Sequence, residues 1–149
     1  MALDELKGQD LGSQTVVVER APVPVFAKAI GDDPATYRGD GAPVPPTYPF
    51  SWSYWGTVEG EVKGLPIMDL RTRGMILHGE QEFTYHRQPV VGDVLEGRRT
   101  IRDVYEKETS SAVMEFYVMD TVWHDKATGD PVVTDSFTLI VRAKKPAAD

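Results

Sequence analysis

Apolar positions along this chain follow two regimes. Up to about residue 66 they recur at helical spacing or gather among prolines and glycines. Beyond it they alternate with polar residues. In the first regime Val23, Phe26, Ala27 and Ile30 share one helical face. The spacing predicts a helix over 22–30. Pro22 and Pro24 fit its first turn, where a missing N–H has no intrahelical partner. Gly31 is a natural stop. Residues 14–19, rich in β-branched side chains, predict a short strand or extended lead-in, and residues 1–12 an irregular arm bracketed by Gly8 and Gly12. Residues 31–49, dense in proline and glycine, predict an overhanging loop, with Pro45-Pro46-Thr47 opening a second helix. Tyr48, Phe50, Trp52, Tyr54 and Trp55 then form the densest aromatic run, expected at the fold's centre and as the wall of an apolar pocket.

The second regime predicts strands at 77–85, 93–105, 112–123 and 132–142. Polar turns separate them at 88–93, 106–111 and 125–131. Three or four long strands with short turns make an antiparallel sheet, and the one buried face needs the helix as its cover. The fold class expected is therefore α+β, a curved antiparallel sheet wrapped around a helix, in a single domain over 1–149.

Charge changes the picture in one respect. Net charge is −7, which argues against general nucleic-acid binding, since that needs a basic footprint. A local patch can still receive an acidic ligand. Arg71 with Arg73, Arg98 with Arg99 and Arg102, and Arg142 with Lys144 and Lys145 are the candidates. There is no cysteine, which removes disulfides, thiolate metal sites and a cysteine nucleophile. The three histidines have no metal-ligand spacing, so no metal is expected. No apolar run approaches the roughly 20 residues of a membrane span, and no signal-peptide core opens the chain. The expected location is cytoplasmic.

Several stretches resemble one family. Phe26-Ala-Lys-Ala-Ile-Gly-Asp-Asp-Pro34 resembles the helix and turn that open the MaoC-like dehydratases. Ala42-Pro-Val-Pro-Pro-Thr-Tyr-Pro-Phe50 resembles their Ala-Pro-Pro-Thr-Phe segment. His78-Gly-Glu-Gln-Glu-Phe-Thr-Tyr-His-Arg87, followed by Pro89, Gly92 and Asp93, is similar to the signature strand and turn of the N-terminal-domain group. Val104-Tyr-Glu-Lys-Glu108 and Leu139-Ile-Val-Arg142 fit as well. The resemblance implies a hot-dog fold, dimers that pair sheets edge to edge, and sites at the interface. It implies addition or removal of water across the double bond of 2-enoyl thioesters of coenzyme A or acyl carrier protein, with no cofactor beyond the thioester.

In catalytic relatives an Asp and a His in a Gly-Asp-x-Asn-Pro-x-His loop act as base and acid. Here the loop reads Gly31-Asp32-Asp33-Pro34-Ala35-Thr36-Tyr37. The resemblance carries Asp32 over and leaves the His position without a histidine. The leading expectation is a hydratase subunit that shapes the acyl site while a hot-dog partner supplies the Asp/His pair. Thr47, Tyr48, Trp52 and Trp55 are the expected substrate-binding set. One alternative is a self-sufficient homodimer using Asp32 with Tyr37 or His86 as acid. Another is a non-catalytic acyl-thioester-binding protein. His78 and His86 have the same parity on their strand, which predicts that both point to one face.

Overall fold

Alternating apolar and polar residues form β4 (Met75–Tyr85), β5 (Val94–Glu108), β6 (Ala112–Asp125) and β7 (Pro131–Lys144), preceded by β1 (Asp10–Val17) and a short hairpin of β2 (Glu61–Val62) with β3 (Leu65–Pro66). The computed structural model describes residues 3–54, 61–62 and 65–146. Five strands make one antiparallel sheet in the order β1-β5-β6-β7-β4. The fifth strand is the reading that the sequence under-called: β1 begins at Asp10, inside the expected arm, with a 3-10 turn at Leu3–Leu6 before it. Leu6 and Leu11 are buried and tie that arm to the core.

The helix α1 (Pro22–Ala29) matches the predicted span, with prolines in its first turn. Its end is a Schellman motif. Gly31 has φ +80°, its N–H donates to the Lys28 carbonyl at 3.2 Å, and the Asp32 N–H reaches the Ala27 carbonyl at 2.9 Å. At eight residues α1 is too short to cover the sheet alone. The segment predicted as a second helix is a 3-10 turn, Tyr48–Tyr54, and it shares the task.

Directly opposed residues share a face of the sheet, so the register assigns the inner rows. One row is Gly97, Trp123, Val133 and Tyr85; the next is Arg99, Thr121, Asp135 and Phe83; the next is Ile101, Met119, Phe137 and Gln81. Two apolar clusters fill this face. One joins Val23 and Ala27 of α1 to Tyr48, Trp52, Leu95 and Trp123. The other joins Leu6, Leu70, Ile101, Tyr117 and Leu139. The polar row Arg99–Thr121–Asp135 lies between them.

Strand β4 is an edge, with Met75, Ile76, Leu77 and Tyr85 exposed. A bulge between His78 and Glu80 breaks its alternation. That bulge overturns the shared-face expectation for the two histidines. His78 faces inward, with its ring 4.5 Å from that of Phe137 and 5.4 Å from that of Phe50. His86 lies on the outer face and pairs with Thr134 at 2.9 Å. One extra residue flips every later side chain.

Candidate active site

The Schellman turn places Asp32 just beyond α1. Its Oδ1 accepts the Asp33 N–H at 2.8 Å, and Asp33 in turn caps the 3-10 turn Pro34–Tyr37 by accepting the Ala35 N–H at 2.9 Å. This turn carries Tyr37 back over the helix end. Its Oη donates to Asp32 Oδ2 at 2.6 Å. Tyr37 is buried in the first apolar cluster and Asp32 is exposed. The Tyr37 hydroxyl, helped by the Asp33 N–H, holds the Asp32 carboxyl below its ordinary range. The same bond, with burial and the Asp32 charge, raises the Tyr37 phenol.

The loop that follows is fastened to the far end of the sheet. Val91 N–H donates to the Ala42 carbonyl at 2.8 Å and Gly41 N–H to the Val91 carbonyl at 3.0 Å. Pro43 bridges Val90, and Gln88 reaches the Val44 carbonyl. Tyr85 donates to the Pro46 carbonyl; burial, then the charge of Asp135, push its phenol up to about 12. Arg87 locks the adjoining turn through Asp93 at 2.8 Å and Asp125 at 2.9 Å. The conspicuous Gly92-Asp93 turn is thus structural.

Of the expected substrate set, Thr47 is exposed, while Tyr48 and Trp52 are 2% and 1% exposed. Phe26, Tyr48, Trp52 and Trp123 form a chain of edge-to-face contacts with centroids 5.2, 6.4 and 5.3 Å apart. These aromatics are core. Tyr48 also forms part of a groove of about 210 Å³, with Thr15, Val16, Val17, Glu19 and Pro22. Trp55 lies outside the described residues. His86 pairs with Thr134, and among the described residues no hydrogen bond joins it to Asp32 or Tyr37.

One polar feature escaped the sequence reading. Asp135, 4% exposed, accepts from Gln81, and Arg99 bonds Thr121 at 3.0 Å and Ser53 at 2.8 Å. Burial pushes the Asp135 carboxyl up to about 6, against the opposing effects of Gln81 and Arg99. Burial lowers Arg99. The signal was present: Thr121 and Asp135 sit at inward positions between apolar neighbours, Met119 and Trp123 on β6 and Val133 and Phe137 on β7. The described residues hold no group of three or more His, Asp or Glu side chains placed to bind a metal. Among the described residues no helix is long and apolar enough to cross a membrane.

Comparisons with known proteins agree with this architecture. The family model for the FAS1-like, dehydratase domain region matches residues 5–135. A UPF0336 protein of Streptomyces griseus is 32% identical over 139 residues, covering 87% of both chains. Among solved structures, the ChsH1-ChsH2 complex of Mycobacterium tuberculosis aligns with a TM-score of 0.71 at 20% identity, over 99% of this chain and 91% of that one. The HadBC (3R-hydroxyacyl-ACP dehydratase) complex of the same organism gives 0.69 at 19%, over 91% and 96%. A MaoC-like dehydratase of Rhodospirillum rubrum gives 0.65 at 14%, over 98% and 99%. At these identities the structures speak for the hot-dog fold alone. With the family model spanning most of its length, the chain belongs to the FAS1-like dehydratase domain family.

Proposed function

We propose that this chain is one subunit of an enoyl-thioester hydratase or dehydratase, that it shapes the acyl site, and that a hot-dog partner supplies the acid and base. The observation that carries this reading is the 2.6 Å bond from Tyr37 to Asp32. Hydration needs a base that takes a proton from water and an acid that delivers one to the α-carbon. Both work best with a pKa near the operating pH. The bond moves each group the wrong way: Asp32 becomes a weaker base and Tyr37 a weaker acid. No histidine occupies the loop.

The open β4 edge supports a partner. An exposed apolar edge strand is a liability unless it is paired. Two of the aligned structures are complexes of distinct subunits. The substrate in this reading is an acyl thioester of coenzyme A or a carrier protein, with no further cofactor.

The test is Asp32→Asn in the assembled complex. A subunit with a structural Asp32 keeps kcat and shifts KM at most. A fall in kcat of about 10²-fold or more, the usual size of a lost general base, would instead make Asp32 catalytic.

A further inference from the structure

The inner face of the sheet carries a polar row where apolar core belongs. Arg99, Thr121 and Asp135 oppose one another across β5, β6 and β7, and Gln81 of β4 stands diagonal to Asp135. Thr121 and Asp135 are each 4% exposed.

The hydrogen bonds of this row do not close. Arg99 donates from Nε to Thr121 Oγ1 at 3.0 Å and from one terminal nitrogen to Ser53 Oγ at 2.8 Å. Among the described residues its other terminal nitrogen has no acceptor, and no carboxylate pairs with it directly. Gln81 gives its amide to Asp135 and to the Ser136 carbonyl, and its buried Oε1 receives no donor. Trp52 and Trp123, 1% and 0% exposed, are buried indoles whose Nε1 groups reach no acceptor.

Both indoles stand beside the row. Trp123 is the inward residue next to Thr121 on β6, and Trp52 packs on it with ring centroids 5.3 Å apart. Ser53, the partner of Arg99, follows Trp52 in the chain. A Cβ at Gly97 would meet Cε3, Cζ3 and Cδ2 of Trp123. That edge of the indole therefore faces β5, and the opposite edge, which carries Nε1, is turned away from it.

Three donor-only groups and one acceptor are thus left open in one buried neighbourhood. Buried polar groups nearly always have partners, and an unmade bond there is costly. A guest rich in acceptor character closes them. Its charge follows from Asp135, whose negative charge already acts on Arg99. A carboxylate guest would meet that charge at short range, so a neutral oxygen group fits best. A carbonyl satisfies the donors, and a hydroxyl can also donate to Gln81 Oε1.

The surroundings say what carries the oxygen. One apolar cluster closes the row on the Trp123 side and the other on the Ile101 and Met119 side. Towards the β4 edge Gln81, Phe83 and Phe137 are only half-buried, which leaves an approach. A hydrocarbon chain suits such walls, whereas a carrier arm with several amides would leave its own polar groups unpaired against them.

We propose that Arg99, Gln81 and the indole N–H groups of Trp52 and Trp123 form a subsite for a neutral oxygen substituent, hydroxyl or keto, borne on the acyl chain beyond the reacting carbons. The subsite makes this subunit select oxygenated chains over plain hydrocarbon ones. That the guest is an acyl thioester rests on the functional reading above; that it carries an oxygen rests on the open donors.

The experiment titrates the full chain by calorimetry with octanoyl-, decanoyl- and dodecanoyl-CoA, with their ω-hydroxy and (ω−1)-keto counterparts, and with coenzyme A alone. These thioesters are saturated and have no group at the reacting carbons, so they report the chain only. Expected is binding at least about tenfold tighter for an oxygenated chain than for the plain chain of the same length, at one length or more. Arg99→Met and Gln81→Leu abolish that preference and leave binding of coenzyme A unchanged. Circular dichroism checks folding, and Gln81→Leu, at a half-buried position, carries the test should Arg99→Met fail to fold. Equal binding of plain and oxygenated chains at every length overturns the proposal, since internal water alone would then satisfy the row. A preference that survives in Gln81→Leu and in folded Arg99→Met overturns it too. So does an equal loss of coenzyme A binding in these variants, which would place the carrier arm on the row. A wild-type chain that binds none of the thioesters overturns the functional reading together with this one, whereas equal binding overturns this one alone.

Discussion

Tyr37 and Asp32, five residues apart, close a ring over the end of α1 in which the phenol donates and the carboxylate accepts at 2.6 Å. Asp32 is depressed in the fold, so it contributes stability above its unfolded pKa, lost as pH falls through the folded value. Tyr37→Phe removes the main cause. The Asp32 carboxyl, followed by carbon NMR, then titrates at higher pH than in wild type, and the acid limb of stability moves up with it. An unmoved titration would mean that the hydroxyl is not its partner in solution.

Asp135 has the opposite sign. Its folded pKa is raised to about 6 from an ordinary 3.8, so the fold binds the extra proton. That stability is fully present below the unfolded pKa and disappears as pH rises through about 6. The groups facing it are Gln81 of β4, Arg99 of β5 and Thr121 of β6, with Asp120 beyond. Asp135→Asn is expected to flatten the decline between about pH 4 and pH 7 by on the order of 2 kcal/mol, read from urea melts. Parallel pH curves for wild type and variant would show that Asp135 is ionised throughout.

Gly97 is where the sheet makes room for the aromatic chain. A Cβ there would stand 2.6 Å from Trp123 Cε3. The indole is fully buried between Gly97 and Trp52, so it has nowhere to move. Gly97→Ala is expected to cost about 1–3 kcal/mol, the range for overpacking a core. A neutral result in thermal denaturation would show that the ring can shift.

Much of this fold is legible in the residues. Helix α1, its proline start and glycine stop, and four of the long strands follow from periodicity and turn chemistry. The signs that failed are local. The bulge falls at Gly79, an isolated glycine inside a strand, and the parity of His78 and His86 is continuous only when that glycine is not read as a bulge signal. The first half of β1 hid because Gly12 and Asp10 are poor strand residues; the Asp10 carboxylate accepts the Gly12 N–H at a bulge. The candidate site was legible as Asp32. Tyr37 is legible beside it from the same loop; that the two side chains meet is not, because it depends on the turn at Asp33 that brings residue 37 back over residue 32. Of the aromatic run, Tyr48 and Trp52 lie at the centre as expected.

The β4 edge gives a prediction about assembly. Ile76, 38% exposed near one end of the edge, would meet the paired strand. Ile76→Asp is expected to leave the thermal midpoint of the isolated chain within a few degrees, and to abolish association with a hot-dog partner in sedimentation velocity. Intact association would place the partner on another surface.

The claim that the chemistry needs a second subunit is tested most directly by turnover. The purified chain is assayed with short- and medium-chain trans-2-enoyl-CoA thioesters, alone and mixed with a subunit carrying the Gly-Asp-x-Asn-Pro-x-His loop. The expected result is saturable binding without hydration by the chain alone and hydration by the mixture. Hydration by the chain alone, lost in Asp32→Asn, would contradict the account and make the Asp32–Tyr37 pair the catalytic one.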